Sequence, residues 1–431
     1  MIQPMPSSNN DLIARRERLL GPHVATFYSE PVHIVRGEGV WLWDADGRRY
    51  LDCYNNVPHV GHCNPRVVEA IHRQASTLNT HTRYLHEGIL DYVERLTATM
   101  GKNLSTAVMT CTGSEANDIA LRMAEVTTGR RGIIATDATY HGNTALASQL
   151  GHGKSTDVGF GLEQYFRHIE APDSYRLGDT DGSRFAVHVA EHISELEKTK
   201  HGFAALLVCP YFLNEGFPTQ QNGWLRPAAE VVRKAGGLLI CDEVQSGFGR
   251  IGTHFWAHQK QGVEPDIVVL GKPMANGHPV GAVVTGSGIM TDFRSRFRYF
   301  NTFGGNPVSC AAAMAVLEEL ELNDLQGNAK TVGDYALNRM NKLKQKYSCI
   351  GDVRGSGLVF GAELVTNESE KTPASALTDQ VINAMRHKGI LHSKLGRFKN
   401  TLKIRPPMPF SLEHADLLFD ALDDVLSESA L

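Results

Sequence analysis

Residues 236–244, GGLLICDEV, form an apolar run that ends in carboxylates, and residues 266–272, DIVVLGK, form another that ends in a lysine. Similar runs recur between about Asn64 and Leu320, separated by helix-like stretches of ten or more residues. These other runs are AVMTCT (107–112), GIIATDA (132–138), FAALLVCP (203–210) and VGAVVTG (280–286). Their richness in Val, Ile, Leu and Ala is typical of strands buried on both faces. The alternation predicts an α/β fold with a mostly parallel sheet, whose ligands bind beyond the carboxyl ends of the strands.

The chain on either side of this region has a mixed pattern. Residues 32–53, VHIVRGEGVWLWDADGRRYLDC, alternate apolar and polar side chains around GEG and DADG turns, which predicts a small antiparallel sheet. After about Asp324 come a helix-like stretch, strand-like runs at GLVFGAEL and TLKIRPP, and a closing amphipathic helix. We therefore predict an N-terminal segment of a small domain at residues 1–63, a large domain at 64–322 and the rest of a small α+β domain at 323–431.

The composition and charge of the chain limit the kinds of molecule that it is expected to bind. The 431 residues, 42% of them apolar, can bury a large core, and the formal net charge of −4 leaves no basic excess for a nucleic-acid backbone. The seven cysteines include no C-x-x-C pair, which argues against a disulfide framework and a structural zinc site. No apolar run approaches the roughly 20 residues of a membrane span, and no secretory leader is recognisable. We expect a cytoplasmic protein with a small-molecule ligand and no metal, membrane or nucleic-acid partner.

A turn of small residues, GSEAND at residues 113–118, follows the run AVMTCT and precedes a helix-like stretch. Such a turn leaves backbone N–H groups unobstructed, and the helix dipole adds about half a positive charge, so a phosphate group is stabilised there. The alternative is an ordinary helix cap, with Ser114 as the capping residue and Asn117 tightening the turn.

Asp242 and Lys272 stand at the ends of neighbouring apolar runs. A carboxylate at a buried strand end needs a partner, which a pyridinium N–H, nearby backbone or Arg250 would supply. A lysine in the same setting is a nucleophile able to form a Schiff base, unless it extends to solvent. A phosphate turn, a terminal Asp and a terminal Lys together meet the needs of pyridoxal phosphate, and we predict this cofactor.

Further residues fit the same cofactor. Tyr140 and His141 follow GIIATDAT, where the aromatic ring could stack on the cofactor face, although a core aromatic is the alternative. Thr302, in NTFGGNP, offers a hydroxyl to a phosphate oxygen, although a tight turn explains it as well.

The motifs GSEAND, YHG, CDEVQSGFGR, GKPMANGHPVGAV and TFGGNP resemble those of class III (subgroup II) aminotransferases, which are fold-type I pyridoxal-phosphate enzymes, and the likeness covers nearly the whole chain. The cofactor residues predicted from the motifs and the resemblance are Gly113, Ser114, Tyr140, His141, Asp242, Gln245, Lys272 and Thr302. The resemblance implies that Asp242 holds the ring nitrogen, Gln245 reaches the ring oxygen and Lys272 carries the Schiff base. It also implies a homodimer with shared active sites, in which the partner subunit contributes Thr302. Whether dimers pair into tetramers stays open.

Two stretches resemble one branch of that family. YLDCYNNVPHVGHCNPRVV and NTHTRYLHEGILDYVERL, with their unusual Asn55-Asn56-Val57 and Arg83-Tyr84-Leu85-His86, look most like the phospho-lyases of ethanolamine phosphate and phosphohydroxylysine. This resemblance implies a β-elimination in which phosphoethanolamine gives acetaldehyde, ammonia and phosphate. The alternative is an ω-amino-acid:oxo-acid aminotransferase that uses the same Lys272 and Asp242.

A phosphorylated substrate needs donors for its phosphate, and the planar fork of arginine matches phosphate oxygens. The candidate substrate residues are Asn55, Asn56, Arg83, Tyr84, Glu215 and Arg405. Arg405 could instead bind a substrate carboxylate, as arginine at this place does in the family, and Arg83 could form an interface ion pair.

Overall fold

The computed structural model describes residues 8–151, 164–217 and 222–428. The chain begins with helix α1 (Asn9–Leu20), followed by strands β1 (Ile34–Glu38), β2 (Trp41–Asp44) and β3 (Arg49–Asp52). These strands pair in antiparallel order, so the small sheet predicted for residues 32–53 is confirmed.

Within the described residues, seven strands form the central sheet, in the order β4-β10-β9-β8-β7-β5-β6. They are β4 (Thr106–Thr110), β5 (Gly132–Thr136), β6 (Phe166–Ile169), β7 (Phe203–Val208), β8 (Leu238–Asp242), β9 (Ile267–Leu270) and β10 (Gly281–Thr285). Strands β5 to β9 are parallel, whereas β10 runs antiparallel to both β9 and β4. Every residue of β5, β7, β9 and β10 is buried. The predicted mostly parallel α/β sheet is confirmed.

Strand β6 is not among the strands predicted from the sequence. Its four residues include the polar Arg167 and His168, and it lies at one edge of the sheet. An edge strand has a neighbour on one side only and needs less apolar surface, so its sequence lacks the continuous apolar run of a central strand.

Helices cover both faces of the central sheet. They are α2 (Pro65–Thr77), α3 (Glu87–Ala98), α4 (Gly113–Thr128), α5 (Ser183–Glu197), α6 (Arg226–Lys234), α7 (Ala257–Lys260), α8 (Ser287–Arg296) and α9 (Pro307–Leu322). Ile133 and Ala135 of β5 belong to one apolar cluster with Ile119 of α4, whereas Ile134 between them belongs to another with Val189 of α5. This alternation follows from the two-residue period of a strand and explains why the runs are apolar throughout.

The C-terminal region forms a mixed layer of helices and short strands. Its elements are α10 (Leu325–Lys346), β11 (Ile350–Ser356), β12 (Val359–Asn367), β13 (Thr372–Pro373), α11 (Ser375–His387), β14 (Ile390–Leu391), β15 (Ser393–Leu395), β16 (Thr401–Lys403) and α12 (Leu412–Glu428). Strand β14 pairs with β3, so the N-terminal sheet includes a strand from the other end of the chain. The division at residues 1–63, 64–322 and 323–431 stays a prediction, which this pairing favours.

None of the helices in the described part of the chain combines the length and apolarity that a membrane crossing requires. The cytoplasmic compartment stays a prediction.

Candidate active site

The carboxyl ends of β4, β5, β7, β8 and β9 meet at one edge of the central sheet and surround a cavity of about 300 Å³. Because β10 runs in the opposite direction, it contributes the residues before its first one, from Gly277 to Val280. The predicted cofactor residues that line this cavity are Gly113, Ser114, Tyr140, His141, Asp242, Gln245 and Lys272. The cavity therefore lies where the sequence pattern places the ligand of such a sheet.

Asp242, the last residue of β8, is buried and held by three donors. His141 Nδ1 donates to Oδ2 at 2.6 Å, Asn117 Nδ2 donates to the same oxygen at 2.9 Å, and the backbone N–H of Val244 donates to Oδ1 at 3.0 Å. Burial alone would raise the pKa of Asp242, but the hydrogen bond and charge of His141 and the hydrogen bonds from Asn117 and Val244 hold that pKa below its ordinary value. Arg250, the other partner considered for this carboxylate, donates to two backbone carbonyls instead. Asp242 is thus an oriented anion at neutral pH.

Lys272 follows β9 and begins a short 3-10 helix, Lys272–Ala275. Its ammonium lies 6.0 Å from the centroid of the Tyr140 ring, and the side chain is exposed through the open mouth of the cavity. Loss of hydration within the cavity and then the charge of Arg405 lower the pKa of this amine, whereas Asp242 acts in the opposite direction. Lys272 therefore loses its proton more readily than a surface lysine, as a nucleophile must.

The start of α4 is capped, but not by the residue that the alternative interpretation of this turn named. Thr112, not Ser114, is the capping residue: its hydroxyl accepts from the N–H of Glu115 at 3.2 Å, and the Glu115 carboxylate accepts from the N–H of Thr112 at 3.1 Å. Among the described residues, the hydroxyl of Ser114 accepts only from the N–H of Asn143, at 3.3 Å, and Ser114 lines the cavity. The first turn of α4 is thus capped without using the group proposed to bind phosphate.

Two glycines allow the backbone to close around this helix start. Gly142 has a φ of +138°, and a Cβ there would lie 2.6 Å from Ser114 Oγ. A Cβ at Gly113 would lie 3.1 Å from a methyl group of Val244. The resulting cradle, with a helix N-terminus, a hydroxyl, a buried carboxylate and a lysine amine, fits the phosphate, ring nitrogen and aldehyde of pyridoxal phosphate.

Sequence reasoning missed the roles of two asparagines. Asn117 was considered only as a residue that could tighten a turn, yet it joins Asp242 to the backbone carbonyl of His141, to which it donates at 2.7 Å. Its position three residues after Ser114 on α4 puts it on the same helix face, a spacing that could have revealed it. Asn214 accepts from Gln245 Nε2 at 3.1 Å, and no motif singled it out.

Three of the predicted substrate residues lie close to one another in this chain. Arg405 is buried, donates to Gln245 Oε1, and lies 3.5 Å from the carbonyl of Tyr54. Asn56 is 1% exposed, and within the described residues neither of its side-chain polar atoms, nor Arg405 Nε, has a hydrogen-bond partner. Buried polar groups without partners in a protein chain commonly contact a ligand or water. Asn55 accepts from a backbone N–H two residues on and shapes the loop.

Arg83, Tyr84 and Thr302 lie outside the cavity of their own chain. The Arg83 guanidinium lies over the Phe300 ring, 3.8 Å from its centroid, and Tyr84 is 66% exposed and stacks on His81. Thr302 is exposed two residues from Phe300. One chain does not bring these residues to Lys272, so their assignments stay predictions.

Glu215 is buried outside the main cavity and lines a smaller one. It accepts a hydrogen bond from the Thr136 hydroxyl, while its Oε2 has no partner among the residues that the structure describes. Burial raises the pKa of Glu215 to about 6, and the bond from Thr136 and the charge of His141 partly offset this effect. Its contact with substrate stays a prediction.

Comparison with known proteins gives the family. Residues 25–426 match the family model for aminotransferase class III. The chain is 42% identical to a phospholyase from Arthrobacter solved in complex with phosphoethanolamine, with a TM-score of 0.93 over 98% of this chain and 100% of that one. It is 41% identical to an alanine–glyoxylate aminotransferase 2-like protein of Drosophila melanogaster, over 95% of this chain and 85% of the relative. It is 35% identical to ethanolamine-phosphate phospho-lyase homolog 1 of Caenorhabditis elegans, over 97% of this chain and 94% of the relative. The chain therefore belongs to the class III aminotransferases, a family of fold-type I enzymes that depend on pyridoxal phosphate.

Proposed function

We propose that the protein is a phospho-lyase that eliminates phosphate and ammonia from O-phosphoethanolamine, giving acetaldehyde, or from a related phosphorylated amine. The observation that carries this proposal is the buried guanidinium of Arg405, which lies beside Gln245 and has no carboxylate partner among the described residues. An unpaired buried cation is costly, so this position favours an anionic group on the substrate. The similarity to the Arthrobacter and Caenorhabditis elegans proteins supports a phosphate as that group.

The cofactor residues support the first steps of this reaction. Pyridoxal phosphate, when bound, links to amines and draws electrons from the carbon next to the nitrogen. The N–H groups at the start of α4 and the Ser114 hydroxyl would hold its phosphate, and the Asp242 carboxylate would keep a proton on its ring nitrogen. Lys272 Nζ, once displaced by the substrate amine, would take the proton from the carbon that carries nitrogen.

The group on the neighbouring carbon of the substrate then determines which reaction follows. The electron pair left by proton removal expels phosphate from the neighbouring carbon, breaking its carbon–oxygen bond. The released enamine takes up water and yields acetaldehyde and ammonia. The reaction consumes no oxo-acid and needs no redox cofactor.

The second candidate is an ω-amino-acid:oxo-acid aminotransferase. Arg405 suits a substrate carboxylate as well as a phosphate, because its planar fork pairs with either. The similarity to the Drosophila protein also favours this alternative. Both activities would use Lys272 and Asp242 in the same way.

Incubation of the holoenzyme with phosphoethanolamine in the absence of any oxo-acid separates the two candidates. A lyase releases phosphate and acetaldehyde in equal amounts through many turnovers. The lyase is excluded if a screen over phosphorylated amines, phosphohydroxylysine among them, releases no phosphate while an ω-amino acid and an oxo-acid are converted.

We also propose that the protein is a homodimer with shared sites. The surface that carries Arg83, Tyr84 and Thr302 also exposes large apolar side chains, with Leu85 100% and Phe303 71% exposed. An apolar patch of this kind favours a protein partner, and a second copy would bring Thr302 to the neighbouring cavity.

Mixed dimers test this arrangement. Co-expression of a Lys272→Ala chain with a Thr302→Ala chain should restore one intact site in each hybrid dimer, because Lys272 and Thr302 would then come from different chains. If Thr302 serves its own chain, both sites of the hybrid remain defective. The activity of purified hybrids relative to each parent variant distinguishes the two cases.

A further inference from the structure

A second buried cation, Lys403, lies beside Arg405. Lys403 is the last residue of β16 and is 6% exposed. Its Nζ lies 3.5 Å from Gln245 Oε1, the same oxygen that accepts from Arg405. The Lys403 ammonium and the Arg405 guanidinium each lie 5.6 Å from the centroid of the Tyr54 ring. Two cations therefore converge on one neutral oxygen at the wall of the cavity.

Neither cation forms an ion pair with a carboxylate among the described residues, although the more distant charge of Asp52 partly offsets the effect of burial on the pKa of Arg405. Arg354, another buried arginine of the C-terminal region, pairs with the carboxylates of Glu363 and Asp352. Lys403 and Arg405 form no such pair. Burial and the neighbouring positive charges of Arg405 and Lys272 hold the pKa of Lys403 well below its ordinary value, so this amine keeps its proton best when an anion lies beside it. Buried charges are normally paired, so this arrangement lacks negative charge that a ligand could supply.

We propose that Lys403 and Arg405 form a subsite for a dianionic phosphoryl group, with Asn56 as a neutral donor, and that Lys403 selects this group over a carboxylate. The inference rests on the proposed function, in which a phosphorylated amine is the substrate. A carboxylate carries one charge, which the fork of Arg405 alone can balance. The Lys403 ammonium is balanced only when the ligand carries a second negative charge. A phosphate group is a dianion near pH 8 and supplies that charge.

Binding of inorganic phosphate and of acetate to the holoenzyme, measured by calorimetry at pH 8, tests the subsite without turnover. The cofactor fills its own phosphate cradle, so added phosphate reports the second site. Lys403→Met should weaken phosphate binding by about ten- to a hundredfold, the effect of losing a charged hydrogen-bond partner, and change acetate binding by less than about threefold. Arg405→Met should weaken both.

Two further variants act as controls. Lys342→Met removes an exposed lysine of α10 and should leave phosphate binding unchanged. Lys403→Arg restores the charge and should recover most of the affinity. Unchanged phosphate affinity in Lys403→Met, or equal losses for phosphate and acetate, would overturn the assignment. An enzyme that binds phosphate through Lys403 yet releases none from phosphorylated amines would refute the lyase and leave the subsite standing.

Discussion

Replacing Glu215 by glutamine removes a buried acid whose pKa is raised from 4.5 to about 6. A raised pKa means that the folded state disfavours the ionised form, so the stability contributed by the neutral acid is complete below pH 4.5 and is lost as the pH rises through 6. The difference between these two pKa values corresponds to about 2 kcal/mol of stability lost at pH 8, of which roughly 0.8 kcal/mol is already lost at pH 5. Between pH 5 and pH 8 wild type should therefore lose about 1 kcal/mol that Glu215→Gln does not lose.

Urea unfolding of both proteins at pH 5 and pH 8, at one protein concentration and with saturating cofactor, measures this difference. Glu230 on α6 is exposed and outside the cavity, so Glu230→Gln should follow the pH dependence of wild type. The glutamine in Glu215→Gln can still accept the hydrogen bond from Thr136, which keeps the local packing comparable. If Glu215→Gln and wild type change in parallel between the two pH values, the raised pKa of this carboxyl is refuted.

The other predictions concern the cofactor residues. Lys272→Ala should lose the visible absorbance of the lysine-bound cofactor and nearly all turnover, and a variant that kept both would contradict its assignment. Asp242→Ala should stay folded but lose at least about a hundredfold in kcat, because removal of one partner of a buried pair costs about 3–5 kcal/mol. Steady-state kinetics of the variant with bound cofactor checks this prediction. Gly142→Ala should raise the Kd of the apoenzyme for pyridoxal phosphate, since its Cβ would lie 2.6 Å from Ser114 Oγ, and an unchanged titration would argue against the cradle.

The edge of the sheet at which the site lies was predictable from the sequence alone. Asp242 and Lys272 each end an apolar run, and parallel strands place their carboxyl ends together, so both residues line one cavity. The fold class and the dependence on pyridoxal phosphate are confirmed by the family. The mixed sheet was less predictable, because β10 is as apolar as its parallel neighbours and only its pairing reveals its direction.

Local sequence patterns could not predict contacts between segments that are far apart along the chain. The hydrogen bond between His141 and Asp242 joins residues 101 positions apart, and no spacing rule gives its length of 2.6 Å. Lys403 was overlooked, although strand alternation places it on the same face as Arg405. Arg83 and Thr302 raise a different difficulty: if they contribute to the site of a second subunit, as we propose, their own chain gives no sign of that role.

The cofactor residues alone do not explain why this chain would eliminate phosphate rather than transfer an amino group. In either reaction Asp242 would keep a proton on the ring nitrogen of the cofactor, which then draws electrons, and Lys272 would remove a proton. The electron pair then either returns to a proton or expels the group on the next carbon, and expulsion is favoured when the departing charge is stabilised. Lys403 and Arg405 lie beside Gln245, which lines the cavity, and form no ion pair with a carboxylate among the described residues, so they would stabilise phosphate both as it binds and as it departs. The choice of reaction should therefore depend on these two cations, and variants that remove them should change substrate selectivity while the cofactor remains bound.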